Sequence, residues 1–237
     1  MIFVGTLESG EGDFEQCKKA IADQKDVQVV HKVISGLSEA DAHNALWNSW
    51  AEAKSNGCNL FVKIDADTVL NDVTALKTIQ GMFQSDPTLS GMQCYLHDYF
   101  TNEKIYGLNC FSSSVIFNET KDPLMCDRGI DVGHTNVLRG NSLPSRLNPA
   151  ASHCFRAIPK QAFHYGVHRS LKEQKDTLQK VKVQWQKSKD DIRMWALLGA
   201  KFSTYFTKTS GFNYTDKQFC DIFEFVKSNL KEFSAEL

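Results

Sequence analysis

The sequence predicts an α/β fold: a mixed β-sheet flanked by helices, followed by a helical C-terminal extension. Three observations lead there. Short β-branched runs alternate with amphipathic helical patterns over residues 1–89, which is the grammar of a parallel sheet with right-handed crossovers. From residue 90 the strands become shorter and closer together, which suits a mixed sheet. After Pro159, well placed as the first residue of a helix, the pattern stays mainly helical to the end.

In order, residues 1–5 (MIFVG) read as a strand and 6–13 (TLESGEGD) as a polar loop. Phe14, Cys17 and Ile21 fall on one stripe and predict a helix, and 27–33 (VQVVHKV) predict a second strand. Ser38 and Asp41 resemble a capping box. The helix they open carries Ala42, Ala45, Leu46, Ser49, Trp50 and Ala53 at the spacing of a half-buried face. Leu60 to Ile64 form the third strand, and Val73, Leu76, Ile79 or Gln80, and Phe83 predict the next helix. Residues 91–100, 103–111 and 112–117 read as further strands, with an acid-bearing loop at 118–136 beyond them. Thr215 and Gln218 read as a capping box for a last helix with Phe219, Ile222, Phe223, Val226, Leu230 and Phe233 on its apolar face. The lysine-rich stretch 172–189 reads as a solvated helix face, and peripheral contact with a membrane is its second reading.

Bulk properties narrow the function. A chain of 237 residues with 16 Phe can build a substantial core in one domain, or one domain with an appendage. A net charge of −1 argues against a nucleic-acid binder that relies on a basic surface. Seven scattered cysteines without a C-x-x-C argue against a disulfide framework or a zinc knuckle and fit a reducing compartment. Neither a basic, apolar leader nor a stretch of roughly 20 apolar residues is visible, so a cytoplasmic location is expected.

The chemistry gathers at "FVKIDADTVL", where a buried strand ends in Asp65 and Asp67. Buried acids need cations or a metal. Side chains at i and i+2 of an extended segment share a face, so both acids could address one hard divalent cation such as Mn²⁺ or Mg²⁺. The bland alternative is that one of them caps a helix starting near Asn71. His164 and His168 lie four apart on a helix and could add an imidazole, and Arg169 could meet phosphate. The 6–13 loop lacks both the P-loop and the dinucleotide fingerprint, and its acids would repel phosphate. A base or ribose contact by Thr6 or Glu8 suits it better.

Taken together, the strand–loop–helix opening, "GLSEADAHNALWNSWAEA", "FVKIDADTVL" and "IPKQAFHYGVHRSLK" resemble GT-A fold glycosyltransferases, the small family-2-like type of bacteria and large DNA viruses. The likeness covers residues 1–172, with 1–89 as the nucleotide-binding half, 90–172 as the acceptor half and 173–237 as an extension. It implies a nucleotide-diphospho-sugar donor, with uridine by family habit, a glycan or glycoconjugate acceptor, and Mn²⁺ or Mg²⁺. It further implies that Asp65 contacts ribose and metal, Asp67 and His168 bind the metal, and Thr6, Glu8 and Asn44 line the nucleoside pocket. The family's usual E-D dipeptide is missing, so Asp127, Asp131 and Asp98 are all candidates for the general base. A nucleotidyltransferase and a non-catalytic glycosyltransferase-like module are the rival readings.

Overall fold

A computed structural model describes residues 1–126 and 130–237, with the backbone alone for 130–132. An eight-stranded sheet carries the fold, in the order β2-β1-β3-β6-β5-β10-β4 with β9 also on β5. Its strands are β1 (Ile2–Glu8), β2 (Val29–Ser35), β3 (Leu60–Lys63), β4 (Thr68–Leu70), β5 (Gly91–Asp98), β6 (Glu103–Ser112), β9 (Val137–Arg139) and β10 (Ala151–His153). A short β7 (Ile116–Phe117) pairs with β8 (Ile130–Val132) apart from it. Only β6 and β4 run against the others, so β1, β2, β3, β5, β9 and β10 all point one way. The carboxyl ends of β1, β3, β5 and β10 therefore lie along one edge, where open α/β sheets bind ligands.

The alternation in β1 builds two cores. Ile2 and Val4 face a cluster with Cys17 and Ile21 of α1 (Phe14–Ala22) and Leu76 and Ile79 of α3 (Ala75–Ser85). Phe3 faces the other side, where α2 (Glu39–Ser55) brings Leu46, Trp47 and Trp50 against Phe61 and Phe111. Trp50 stacks on Phe61 with centroids 5.5 Å apart. The cap expected for α2 is present, since Ser38 Oγ accepts from the Asp41 amide at 3.3 Å. The helix after the third strand starts later than the spacing predicts. Asp72 Oδ1 accepts from the Thr74 amide at 2.6 Å, and this local turn leaves Val73 outside α3 and 44% exposed.

The C-terminal helices form a third cluster. They are α4 (Pro159–Leu171), α5 (Lys175–Ser188), α6 (Asp191–Phe202), α7 (Lys217–Ser228) and α8 (Leu230–Ala235). Phe163 and Val167 of α4 share one apolar cluster with Trp195 and Leu198 of α6 and Phe219 and Phe223 of α7. A boundary at residue 172 would cut through it. α5 buries only Val181 completely, as a solvated lysine-rich face should. The expected Thr215–Gln218 box does not form: Asp216 is the residue before α7, and its Oδ2 accepts from the Asn213 amide at 2.9 Å, outside the helix, instead of capping a helix amide. The last helix also breaks at Asn229, which donates to Phe225 O at 2.8 Å and divides α7 from α8.

Asp190 fastens this bundle to the sheet. Its Oδ1 accepts from the Arg193 amide at 2.8 Å and from the Tyr99 hydroxyl at 2.9 Å, and Oδ2 meets Arg193 Nη1 at 2.9 Å. Arg193 Nε in turn donates to Phe100 O at 2.9 Å. Burial works to raise the Asp190 carboxyl, but bonds from Ser188, Arg193 and Tyr99 prevail and hold it at about 2. Because the folded-state value is depressed, the stabilisation is full above the ordinary aspartate range and fades as pH falls toward 2. Asp190→Ala should therefore cost about 1–2 kcal/mol near neutrality, the worth of an N-cap, and progressively less below pH 4. Urea denaturation across pH checks this, and a penalty that does not change with pH would exclude the assignment.

Candidate active site

A cleft of about 600 Å³ opens along the shared carboxyl edge. Glu8 and Glu11 reach it from the end of β1, Asp65 and Asp67 from β3, His153 and Cys154 from β10. α4 contributes Gln161, His164, Tyr165, His168 and Arg169, and the C-terminal region adds Asn213, Tyr214 and Thr215.

Neither aspartate caps a helix. Thr68 N donates to Asp65 O at 2.9 Å, so the chain turns there and runs into β4. The strand rule for i and i+2 no longer applies across this turn, and the two acids, both on the cleft wall, take different partners. Asp65 keeps to the rim, where Lys63 Nζ donates to its Oδ1 at 2.7 Å. Asp67 points into a polar knot. Its Oδ2 lies 3.2 Å from Cys154 Sγ, 3.3 Å from Gln161 Nε2 and 3.5 Å from His153 Nε2. Burial alone would raise the Asp67 carboxyl. The His153 charge and the bonds from His153, Cys154 and Gln161 outweigh burial and hold it well below the ordinary range.

His153 is oriented from behind. In β10 it sits opposite Asp98 of β5, and its Nδ1 donates to Asp98 Oδ1 at 2.8 Å. Burial disfavours its imidazolium, but the Asp67 and Asp98 carboxylates favour it and raise His153 well above the usual histidine value. Burial and Asp67 together keep Cys154 a thiol. The residues present suit a divalent cation. Asp67, His153 and Cys154 each offer a ligand atom within 4.8 Å of the others, and a carboxylate fixes the imidazole's far nitrogen.

No protein-family model and no curated protein matches the chain. Among solved structures it is similar to the mannosyltransferase PcManGT from Pyrobaculum calidifontis in complex with GDP-Man and Mn²⁺. The identity is 13%, over 85% of this chain and 73% of that one, with a TM-score of 0.43. It is also similar to the protein A197 from STIV, at 11% identity over 47% of this chain and 64% of that one, with a TM-score of 0.37. The chain thus spans under two thirds of A197.

Several sequence expectations need correction. His168 lines the cleft, but its Nε2 lies 3.4 Å from Glu39 Oε2, and the imidazole that touches Asp67 is His153. His164 stacks on Tyr214 with centroids 4.1 Å apart, and burial and Lys172 push it down to about 3. Thr6 is fully buried, with Oγ1 3.0 Å from His31 Nε2, and takes no part in the cleft wall. Asn44 pairs its whole carboxamide with the Thr120 backbone, at 2.8 and 3.1 Å, so it tethers that segment and does not line a nucleoside pocket. Glu8 does line the cleft, and so does Arg169, which donates to Gln174 at 2.7 Å and lies over the Tyr165 ring.

Among the base candidates, Asp98 is fully buried, and its Oδ2 accepts from the Thr101 amide and hydroxyl at 2.8 and 2.7 Å. It has no face toward an acceptor and acts by positioning His153. Asp127 lies outside the described residues, as does the side chain of Asp131. Sequence reasoning missed His153, Cys154 and Gln161. The only sequence cue is the adjacency of two ligand types, His153 and Cys154, since the strand that carries them is three residues long.

Asp98→Asn should lower divalent-cation affinity about 10- to 100-fold, the usual effect of removing a carboxylate behind a ligating imidazole. Metal titration followed by calorimetry reads this directly, and an unchanged affinity would remove the positioning role.

Proposed function

We propose that the chain is a metal-dependent glycosyltransferase that moves a sugar from a nucleotide-diphospho-sugar to an acceptor hydroxyl of a glycan or glycoconjugate. The observation that carries the reading is the Asp98–His153–Asp67 relay at the carboxyl edge of the sheet, opening into a cleft large enough for a nucleotide. The sequence resemblance supports it independently. Asp67 and His153 would hold Mn²⁺ or Mg²⁺, with Asp65 at the rim. When bound, the cation offsets negative charge on the departing diphosphate. Arg169 and Lys172, in the same cleft, complement the phosphates. The nucleoside, uridine in this reading, lies over the ends of β1 and β2, where Glu8, Gly36, Leu37 and His43 form the wall. In an inverting reaction, Asp127 or Asp131 would take the acceptor's proton.

A nucleotidyltransferase would need free loop amides after the first strand to cradle a triphosphate. Here Glu11 takes the Ser9 amide at 2.7 Å and Glu8 takes the Gly10 amide at 2.6 Å. The loop's own carboxyl groups therefore occupy the amides a triphosphate would need. Calorimetry with UDP, GDP, CMP and dTDP tests the proposal. One nucleoside diphosphate should bind at least about tenfold tighter with Mn²⁺, roughly 1.4 kcal/mol, and the matching sugar donor should hydrolyse slowly. Metal-dependent binding without hydrolysis would indicate a binding module. If none of the four gains affinity from metal, the transferase reading fails.

A further inference from the structure

We infer that Cys154 is itself a metal ligand, and that the Asp67–His153–Cys154 face favours Zn²⁺ over Mn²⁺ or Mg²⁺. The inference rests on the cation site proposed above and specifies its chemistry.

The three ligand atoms already stand at the corners of a triangle. Asp67 Oδ2 to Cys154 Sγ is 3.2 Å, Cys154 Sγ to His153 Nε2 is 3.4 Å, and His153 Nε2 to Asp67 Oδ2 is 3.5 Å. Tetrahedral Zn²⁺, with bonds of about 2.3 Å to sulfur and 2.0–2.1 Å to nitrogen and oxygen, needs edges of roughly 3.3–3.6 Å. The face is close to that spacing before any ion arrives. Hard cations take oxygen ligands and have little use for sulfur, whereas a thiolate selects softer or borderline metals.

The surroundings hold each ligand in place. Asp98 fixes the His153 ring from its Nδ1 side, and Gln161 Nε2 approaches both Asp67 Oδ2 at 3.3 Å and Cys154 Sγ at 3.6 Å. Cys154 has a φ of 60°, in the left-handed region that non-glycine residues seldom enter. Its amide donates to Asp67 O at 2.9 Å, which ties the strained residue to its fellow ligand. Such strain persists where the surroundings enforce it, and here it aims a sulfur at the cleft. Cys17 and Cys126, in contrast, turn their thiols to backbone carbonyls. Cys154 would bind as the thiolate and His153 through Nε2, with the thiol proton and any Nε2 proton released to solvent, and Asp67 would supply a carboxylate oxygen. All three residues line the cleft, so a cation held by them would be open to water or a diphosphate oxygen from that side.

Cobalt provides the test. Co²⁺ added to the native protein should give a near-ultraviolet sulfur-to-metal charge-transfer band that is absent in Cys154→Ser. The native protein should bind Zn²⁺ at least about tenfold tighter than Mn²⁺, and the same variant should lose at least about tenfold in Zn²⁺ affinity, narrowing that preference. X-ray absorption of the Zn²⁺-loaded native protein needs no variant and should find one sulfur in the first coordination sphere. Only nitrogen and oxygen neighbours there, or a cobalt band that survives in Cys154→Ser, would overturn the inference. Nucleotide binding separates the two claims. Sulfur-ligated zinc without metal-dependent nucleotide binding would sink the transferase reading alone, and the converse would sink the role of Cys154 alone.

Discussion

Gly166→Ala is expected to destabilise the protein by about 3 kcal/mol or more, at the upper end of overpacking effects. α4 and α6 cross with their backbones nearly touching. A Cβ added at Gly166 would sit 1.8 Å from Ala196 O and 2.7 Å from the Ala200 amide, and one at Gly199 would sit 2.0 Å from Phe163 O. The obstructing atoms are main chain within helices, so no rotamer change relieves the clash and the helices must separate. Alanine would gain up to about 1 kcal/mol in helix propensity, which is the smaller effect. Separation would also loosen Phe163, Val167, Trp195 and Leu198, which share the cluster between these helices. A fall of roughly 1 M or more in the urea midpoint is expected for either glycine. An unchanged midpoint would mean that the helices do not cross this closely. Because α4 carries Gln161 and Arg169, a partly folded Gly166→Ala protein should also bind metal and nucleotide poorly.

Asp67→Asn should have the largest effect on function. The substitution keeps size and removes the only carboxylate among the three closest ligand atoms. Metal affinity should fall by at least about 100-fold, about 2.7 kcal/mol, with the metal-dependent part of nucleotide binding lost alongside it. Asn can still accept from Gln161 and Cys154 through its oxygen, so the fold should survive and the loss should be specific to binding. Calorimetry of the nucleoside diphosphate with and without Mn²⁺ distinguishes the outcomes. Equal metal enhancement in Asp67→Asn and native protein would remove Asp67 from the site.

The residues differ in how legible they were from sequence. Phe14, Cys17 and Ile21 announced α1, Ser38 announced the α2 cap, and the run from Leu60 placed two acids at a strand end, because helix and strand periodicity are local properties of the chain. Asp67 stood out as a candidate for the same reason. Its partners were not. His153 and Cys154 lie 86 and 87 positions further on, at the end of a three-residue strand too short to stand out. His168 followed a spacing argument within its own helix, yet which face of that helix meets the acids depends on how α4 packs on α6. Thr6 and Asn44 sat near the expected pocket in sequence but turned to His31 and Thr120.

By itself, the sequence determined the alternation of strands and helices, the strand that ends in acids and the helical character of the C-terminal third, since each follows from periodicity, caps and turn residues within a few positions. Only the tertiary structure decided which imidazole and which thiol stand beside Asp67, that Asp98 works from behind, and that the C-terminal helices share a core with the cleft's own helix. Those outcomes depend on strand order and helix crossing, which bring together residues up to a hundred positions apart, and no local pattern encodes such distances.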